Sequence, residues 1–506
     1  MSTYHITIKT GDEELVLEAE PGQSALNVIQ NAKLNFSAPC GGNGLCGKCM
    51  VYVYEGGISG LRLACRTEIS DQMIIELSGP QTMLIEEDAV VSSYAPDTGL
   101  TGLGVALDIG TTTLACRLFD RADGTLLASA ARVNPQAVWG ADVISRIDAS
   151  VEGKLDLMQE AVLSAIDQML DELLSTTGRR RRDIVDFTIA GNTVMQHIAA
   201  GLPPDSIGLN PFTPLSLFGE TLELPGFPCP VWFAPCIASY VGGDITAGII
   251  ASDMHTAEDK QVLIDLGTNG ELALGDKNGI IACATAAGPV FEGANIHFGM
   301  PALPGAISQA WEEDGQLMFS VIGGVAPKGL CGTGIIDIAA YMYLNGIFDE
   351  TGYLLDADEC PEFADKLGEE NGMPVFYLTE DKSIYMTQKD IRNIQLGKSA
   401  VYSGIMVLLD AAEIGLDDVA RLDIAGGFGK YINKDSAAIL GLIPKEWLDR
   451  TRAIGNSSVE GASAALLSSE ARADLLSLHD LADYIELSVS AKFNEYFVDN
   501  MMFPGE

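Results

Sequence analysis

The sequence predicts a multidomain protein of mixed α+β and α/β class, a small β-rich unit followed by a larger unit of alternating strands and helices. Three observations predict it. Residues 3–19 alternate apolar and polar side chains around a Thr-Gly-Asp turn at 10–12, the pattern of a half-buried hairpin. From residue 103 onward, apolar runs of strand length alternate with helical patterns, as in α/β architectures. Within that region one strand–turn–strand pattern occurs twice, VALDIGTTTLACRLFD at 105–120 and VLIDLGTNGELALGD at 262–276.

In the first unit, Ser24 is placed to cap a helix running to about Lys33. Met50–Tyr54 and Met73–Leu77 read as a further strand pair, which closes a unit over residues 1–78. Residues 79–102 carry Pro, Ser, Asp and Gly without periodicity and read as a linker. Apolar positions over 155–176 recur at helical spacing and stop before Gly178. The large unit, 103–506, divides by its repeated pattern into a first lobe of about 103–255, a second of about 260–425 and a C-terminal part, 426–506.

Composition limits the function. The 506 residues hold 30 Lys and Arg against 70 Asp and Glu, a formal charge of −40. A phosphate backbone requires a basic footprint, so nucleic acid is excluded as a partner, and an anionic membrane surface with it. Apolar residues make up 47%, enough to build cores and exclude general disorder. No apolar run reaches the roughly 18 residues of a membrane span. The start at Met1–Thr10 lacks the basic and apolar regions of an export signal, so the expected location is cytoplasmic. Against this acidic background, Arg179–Arg182 is a solvated turn or a docking contact for an acidic partner.

Ten cysteines in a reducing compartment point to metal or redox chemistry wherever they cluster. Four do: PCGGNGLCGKC has the spacing C-x5-C-x2-C through Cys40, Cys46 and Cys49, and Cys65 follows with fifteen residues between it and Cys49. Four thiolates are the ligand set of a [2Fe–2S] cluster. The intervening glycines permit the close backbone wrap that lets N–H groups face the sulfurs. Structural zinc prefers two separated C-x2-C pairs, and this loop has one. The other six cysteines lie scattered in apolar sequence and read as small core residues.

The repeated hairpins carry phosphate chemistry. In each, an apolar strand ends in Asp, an apolar residue and Gly-Thr, and Asp108 and Asp265 occupy the same place 157 residues apart. The turns Gly110-Thr111-Thr112-Thr113 and Gly267-Thr268-Asn269 offer amides and hydroxyls to phosphate oxygens. Asp108 and Asp265, at strand ends, can hold Mg²⁺ directly or through water. A third element, DIAGGFGK at 423–430, places Gly426, Gly427 and Gly429 where a backbone could approach a base and ribose. The segment GLCGTGIID at 329–337 adds Gly332 and Gly334 to the candidate nucleotide contacts. The expected cofactors are therefore a [2Fe–2S] cluster, a nucleotide and Mg²⁺.

These motifs resemble known families. Residues 1–78 resemble ferredoxin domains of β-grasp fold, and the x5 gap matches the adrenodoxin-like branch. The three glycine-rich elements resemble the phosphate 1, phosphate 2 and adenosine motifs of the acetate/sugar kinase, heat-shock chaperone and actin superfamily. That resemblance implies a bilobal, duplicated RNase H-like ATPase. It places Val241–Ile250 on the first connecting helix, aligns Asp244 with an acidic residue that positions metal or water, and makes Glu271 a further candidate. It also brings Ser383–Ala400 to the second connecting helix, with Thr387 and Asp390 at its start.

The pairing of the two modules resembles the reductive activators of corrinoid enzymes, as do NPQAVWGADVISRI (134–147), AGNTVMQH (190–197), AAGPVFEGANI (286–296), GLCGTGIID and YIELSVSAKFNEYF (484–497). The resemblance implies ATP-dependent one-electron reduction of Co(II) to Co(I) in a corrinoid protein serving a methyltransferase system. The partners it implies are that corrinoid protein, a low-potential donor such as a ferredoxin or flavodoxin, and a second copy in a homodimer. Family members can carry an extra middle segment that this short linker lacks. The residues alone leave two other readings open, a metabolite kinase with a regulatory ferredoxin domain and a redox-sensing ATP-dependent chaperone. In Ala286–Ile296, Glu292 belongs either to a structural loop or to a surface that senses nucleotide or partner.

Overall fold

Alternating side chains build the first two strands, Tyr4–Thr10 and Glu13–Ala19, which pair antiparallel with Ile6 opposite Leu17. Ile6 and Ile8 point into the core, while Leu15 and Val16 are left exposed. The computed structural model describes residues 3–10, 13–34, 36, 38, 41–42, 49–55, 58–77, 93–267, 269–313, 315–426 and 431–505. Cys40, Cys46, Thr268, Gly427, Gly429, the turn at 11–12 and most of the 79–102 linker lie outside the described residues.

The N-terminal sheet runs Glu13–Ala19, Tyr4–Thr10, Ile74–Leu77, Met50–Glu55, Ile58–Leu63, with Tyr4–Thr10 and Ile74–Leu77 parallel and the other pairs antiparallel. This is the β-grasp arrangement. Ile58–Leu63 is a further strand, one the sequence pattern leaves unassigned. The helix Ala25–Asn31 starts at a capping box, in which Ser24 accepts from the Asn27 amide and Asn27 accepts from the Ser24 amide. It ends two residues before the expected Lys33.

The two large sheets share one plan. The first runs Thr125–Val133, Thr113–Asp120, Leu103–Ile109, Ile184–Gly191, Val231–Phe233, Thr221–Leu222. The second runs Ala482–Ile485, Gly279–Thr285, Gly270–Asp276, Gln261–Leu266, Arg421–Ala425, Thr451–Gly455. In each, a three-stranded antiparallel meander is followed by two strands parallel to its first strand. Asp108 pairs with Ala190 and Asp265 with Ala425, so the duplication predicted by the hairpins extends over five strands.

By packing, the chain forms two compact units, Met1–Glu86 with Thr98–Phe233 and Glu87–Asp97 with Ala234–Glu506. The sequence places the lobe boundary near residue 255. Packing places it at Phe233 because the helix Gly243–Ala251 lies on the helix Ser457–Leu467 of the second unit. A Cβ on Gly461 would stand 2.1 Å from the Ala247 carbonyl, so glycine is what allows that approach. The first described linker residues are pinned within the same unit. Tyr94 Oη meets His255 Nε2 and Asp474 Oδ2, both at 2.6 Å.

The helix Leu155–Thr177 buries Val162, Ile166, Met169 and Leu173 on one face and ends at left-handed Gly178, φ +66°. The arginine run follows as a surface turn. Arg179 pairs with Asp120, Arg180 with Asp183, and Arg181 with Asp167 and Asp171, so its charge is largely spent within its own unit. The helix Gln388–Ala411 starts as expected, with Thr387 and Asp390 forming a capping box. No described helix is long and apolar enough to cross a membrane.

Candidate functional site

The two described cluster-ligand candidates, Cys49 and Cys65, meet through a hairpin. Antiparallel pairing sets Met50 opposite Leu63, and the Ala64 amide donates to the Cys49 carbonyl at 2.7 Å. Residues 49 and 65 are thereby closed on each other, with their sulfurs 3.3 Å apart. That is well beyond the ~2.05 Å of a disulfide, so two unbridged thiols face a common point. Cys49 is buried and Cys65 half-buried, the environment of a ligand rather than of an exposed surface thiol. This donor pair fits an iron–sulfur cluster.

In the first unit, the phosphate turn is held by its own carbonyls. Gly110 N–H donates to the Thr113 carbonyl at 2.9 Å, and a Cβ on Gly110 would sit 2.7 Å from that oxygen, so the tight turn demands glycine. Asn134 donates through Nδ2 to the Gly110 carbonyl at 2.8 Å and through its amide to the Thr112 carbonyl at 2.8 Å. Arg146, fully buried, donates to the Thr111 carbonyl. Asn192, which caps the helix Thr193–Ala200, donates to Thr111 Oγ1 at 2.9 Å. In a trans peptide the N–H points opposite the C=O. Anchoring the carbonyls of 110–112 therefore turns the next amides toward the other side, where a phosphate would bind. Asp108 sits 8% exposed on the strand that enters this turn.

Sequence reasoning missed Asn134, Arg146 and Asn192 as site residues. Their signal was present in the stretches NPQAVWGADVISRI and AGNTVMQH, but nothing local says which polar residue of a stretch turns toward a hairpin.

In the second unit, the equivalent turn carries carboxylates. Register places Asp265 directly opposite Glu271. Glu271 is 7% exposed and accepts from Asn269 Nδ2 at 3.1 Å. Burial, followed by the charges of Asp244 and Asp265, pushes its carboxyl well above the usual carboxylate range. Asp244 is brought into this group on the first turn of the helix Gly243–Ala251. Gly426 joins it: with φ +107°, a Cβ there would stand 2.5 Å from the Leu266 carbonyl and 3.0 Å from Asp265 Oδ1. A Cβ on Gly267 would stand 3.8 Å from Glu292 Oε1, so the Ala286–Ile296 loop reaches the second turn. Its packing is made possible by Gly397, where a Cβ would collide with Val290 at 2.6 Å.

Among the described residues, no three His, Cys, Asp or Glu converge as a metal cage. Mg²⁺ is ordinarily held by one or two carboxylates plus substrate phosphates, and Asp265 and Asp244 fit that partial role. Gly332 and Gly334 open the helix Gly332–Leu344. Gly334 packs on the strand Ala306–Glu313, where a Cβ would sit 2.2 Å from the Ile307 carbonyl, a reason for glycine that needs no ligand. Asp423, in the third element, is 1% exposed and bound by Arg421 and bidentately by Arg452 at 2.7 and 2.9 Å, which gives it a structural role.

Comparison with known proteins agrees with this geometry. Residues 8–76 match the 2Fe-2S iron-sulfur cluster binding domain, 103–257 the RACo middle region, and 259–506 the C-terminal domain of RACo, the ASKHA domain. The corrinoid activation enzyme RamQ of Eubacterium limosum is 30% identical, over 96% of this chain and 98% of its own. The [Co(II) methylated amine-specific corrinoid protein] reductase of Methanosarcina barkeri is 23% identical over 79% of this chain and 77% of its own. A solved structure titled reductive activator for corrinoid, iron-sulfur protein superposes with a TM-score of 0.72 at 28% identity, covering 99% of this chain and 98% of that one. With an iron–sulfur domain, two glycine turns of one plan and relatives matched from end to end, the chain belongs to the RACo family of reductive activators of corrinoid proteins.

Proposed function

We propose that this protein reactivates a corrinoid protein by delivering one electron to inactive Co(II), forming Co(I), at the expense of ATP. The observation that carries the reading is the presence, in one chain, of the Cys49–Cys65 thiol pair and two phosphate turns on duplicated sheets. When bound, the [2Fe–2S] cluster supplies a one-electron carrier. Co(II)/Co(I) is a low-potential couple, and for one electron each 59 mV of mismatch costs about tenfold in equilibrium constant. Nucleotide binding offsets such a mismatch if it changes the surroundings in which the electron is accepted.

The residues divide that work. Cys40, Cys46, Cys49 and Cys65 hold the cluster. Asp108 and the Gly110–Thr113 turn bind phosphate through amides and hydroxyls. Asp265 and Asp244 hold Mg²⁺ and orient the attacking water, with Glu271 beside them. Gly267, Thr268, Asn269, Gly426, Gly427 and Gly429 line the nucleotide, and Gly332 and Gly334 keep a neighbouring helix close. In domain terms, residues 1–78 carry the cluster, 79–102 link, and 103–506 form the ATPase. The electron donor is a low-potential ferredoxin or flavodoxin, the corrinoid protein serves a methyltransferase, and the activator works as a cytoplasmic homodimer.

The test is anaerobic. Cluster-loaded protein is mixed with Mg·ATP, a low-potential reductant and candidate corrinoid proteins, and the Co(I) absorption is followed. ATP-dependent Co(I) formation supports the proposal. Co(I) formation that is indifferent to ATP, or ATP turnover with no cobalt reduction for any corrinoid protein, sinks it.

A further inference from the structure

We propose that the loop Asn134–Gly140, braced by the buried Arg146, couples the first phosphate turn to the cluster-binding domain, with Arg146 as its positioning residue. The loop has two working edges within one compact unit. One edge holds the turn: Asn134 binds the Gly110 and Thr112 carbonyls, and Arg146 binds the Thr111 carbonyl while also donating to Gln136 Oε1 at 3.2 Å and the Gly140 carbonyl at 3.2 Å. Arg146 therefore ties the turn to two points of the loop, Gln136 and Gly140.

The other edge presents three successive carbonyls to the cluster domain. The Ala137 carbonyl accepts from the Ala38 amide at 3.2 Å, and the Val138 carbonyl accepts from Gln30 Nε2 at 2.7 Å. The Trp139 carbonyl lies 3.1 Å from where a Cβ on Gly41 would be, an approach that glycine permits. Gly41 is the residue after Cys40, so this edge borders the cysteine loop itself. Lys33 adds an ion pair to Glu160 on the helix Leu155–Thr177.

The physical link is the rigidity of the peptide plane. Phosphate drawn onto the Thr111 and Thr112 amides moves the Gly110 and Thr111 carbonyls as one body with them. Those carbonyls are what Asn134 and Arg146 hold, and the same loop ends at the cluster domain. The loop also has somewhere to go. Trp139 is 3% exposed, and among the described residues its indole N–H finds no acceptor, a standing cost that another loop position can relieve.

The proposal rests on nucleotide binding at the first turn, and it carries a reciprocal consequence. If nucleotide alters docking of the cluster domain, docking alters nucleotide affinity by the same factor. The decisive experiment uses the full-length, cluster-loaded protein and titrates the fluorescent probe mant-ADP with Mg²⁺ into wild type and the double variant Gln30→Ala/Lys33→Ala, which changes only the docking edge. A shift in Kd of about threefold or more is expected, since coupling of this kind falls at fivefold and above. A smaller shift overturns the coupling. A second arm follows the cluster's visible circular dichroism as Mg·ADP is added. The wild-type response is expected to be lost in Arg146→Met and restored in part by Arg146→Lys; an unchanged response in folded Arg146→Met overturns the role of Arg146. Absence of mant-ADP binding in wild type is a different result, the failure of the nucleotide reading itself.

Discussion

The two phosphate turns sit on sheets of one topology, yet their surroundings are opposite in character. Around the first, Asn134, Arg146 and Asn192 donate hydrogen bonds to the turn, and the residue across from Asp108 is Ala115. Around the second, Asp265 faces Glu271, with Asp244 and Glu292 close by. Both turns keep the glycine that lets a neighbouring strand end approach. Gly191 lies against the Ile109 carbonyl, and Gly426 lies against its counterpart, the Leu266 carbonyl. Duplication thus preserved what the backbone requires, while the side chains diverged to hydrogen-bond donors around one turn and carboxylates around the other, the division that the proposed phosphate and metal roles would use.

That contrast is most directly broken at its two aspartates. Asp265→Ala is expected to lower ATPase kcat by about a hundredfold or more, the usual scale for removing a preorganised electrostatic group. Asp108→Ala is expected to act more through KM, because it lies at the turn proposed to bind phosphate. Steady-state ATPase kinetics separate the two, and equal splits in both variants would contradict a division of labour. Cys49→Ser, by comparison, should remove the cluster's visible spectrum and cobalt reduction.

The halves also differ in how they hold their inner strands. Asp423 occupies in the second sheet the place of Thr188 in the first, two residues before the paired alanine in each. Asp423→Asn weakens three charge-assisted hydrogen bonds to partly exposed arginines and should cost about 2–3 kcal/mol, measured by denaturant unfolding of the second unit's signal. In the first unit, Asn192→Ala removes a helix cap and a contact to the turn, for about 1–2 kcal/mol.

The smallest expected effect concerns Glu271. Its folded carboxyl titrates well above its ordinary value of 4.5, so the unfolded chain releases that proton first as pH rises. The native state is therefore undisturbed by this group below about pH 4.5 and loses stability as pH climbs from there toward the raised folded value. Glu271→Gln removes that burden. A thermal melt should show the variant gaining Tm at neutral pH, with the gain vanishing near pH 4. A gain independent of pH would mean that the carboxyl is ionised in the fold.

Much of this was legible in the chain. The hairpins, the Ser24 and Thr387 caps and the stop at Gly178 all follow from residues within a few positions of one another, which is the range of turn and capping chemistry. Where local signals were weak the strand went unassigned: Ile58–Leu63 carries Gly60 and little alternation, and it is pairing with Met50–Glu55 that makes it a strand. The arginine run, conspicuous in an acidic sequence, found its partners among nearby aspartates.

By itself, the sequence determined the domain order, the spacing of the four clustered cysteines and the two aspartates at equivalent strand ends, because each is written in contiguous spacing. Only the tertiary structure decided that Cys49 and Cys65 stand 3.3 Å apart, that Asp244 joins Asp265 and Glu271, and that Asn134 and Arg146 grip the first turn. The reason is physical. Backbone turns and caps are satisfied by near neighbours, whereas burial, charge coupling and side chain-to-carbonyl bonds depend on distant segments that meet only when the sheets have formed.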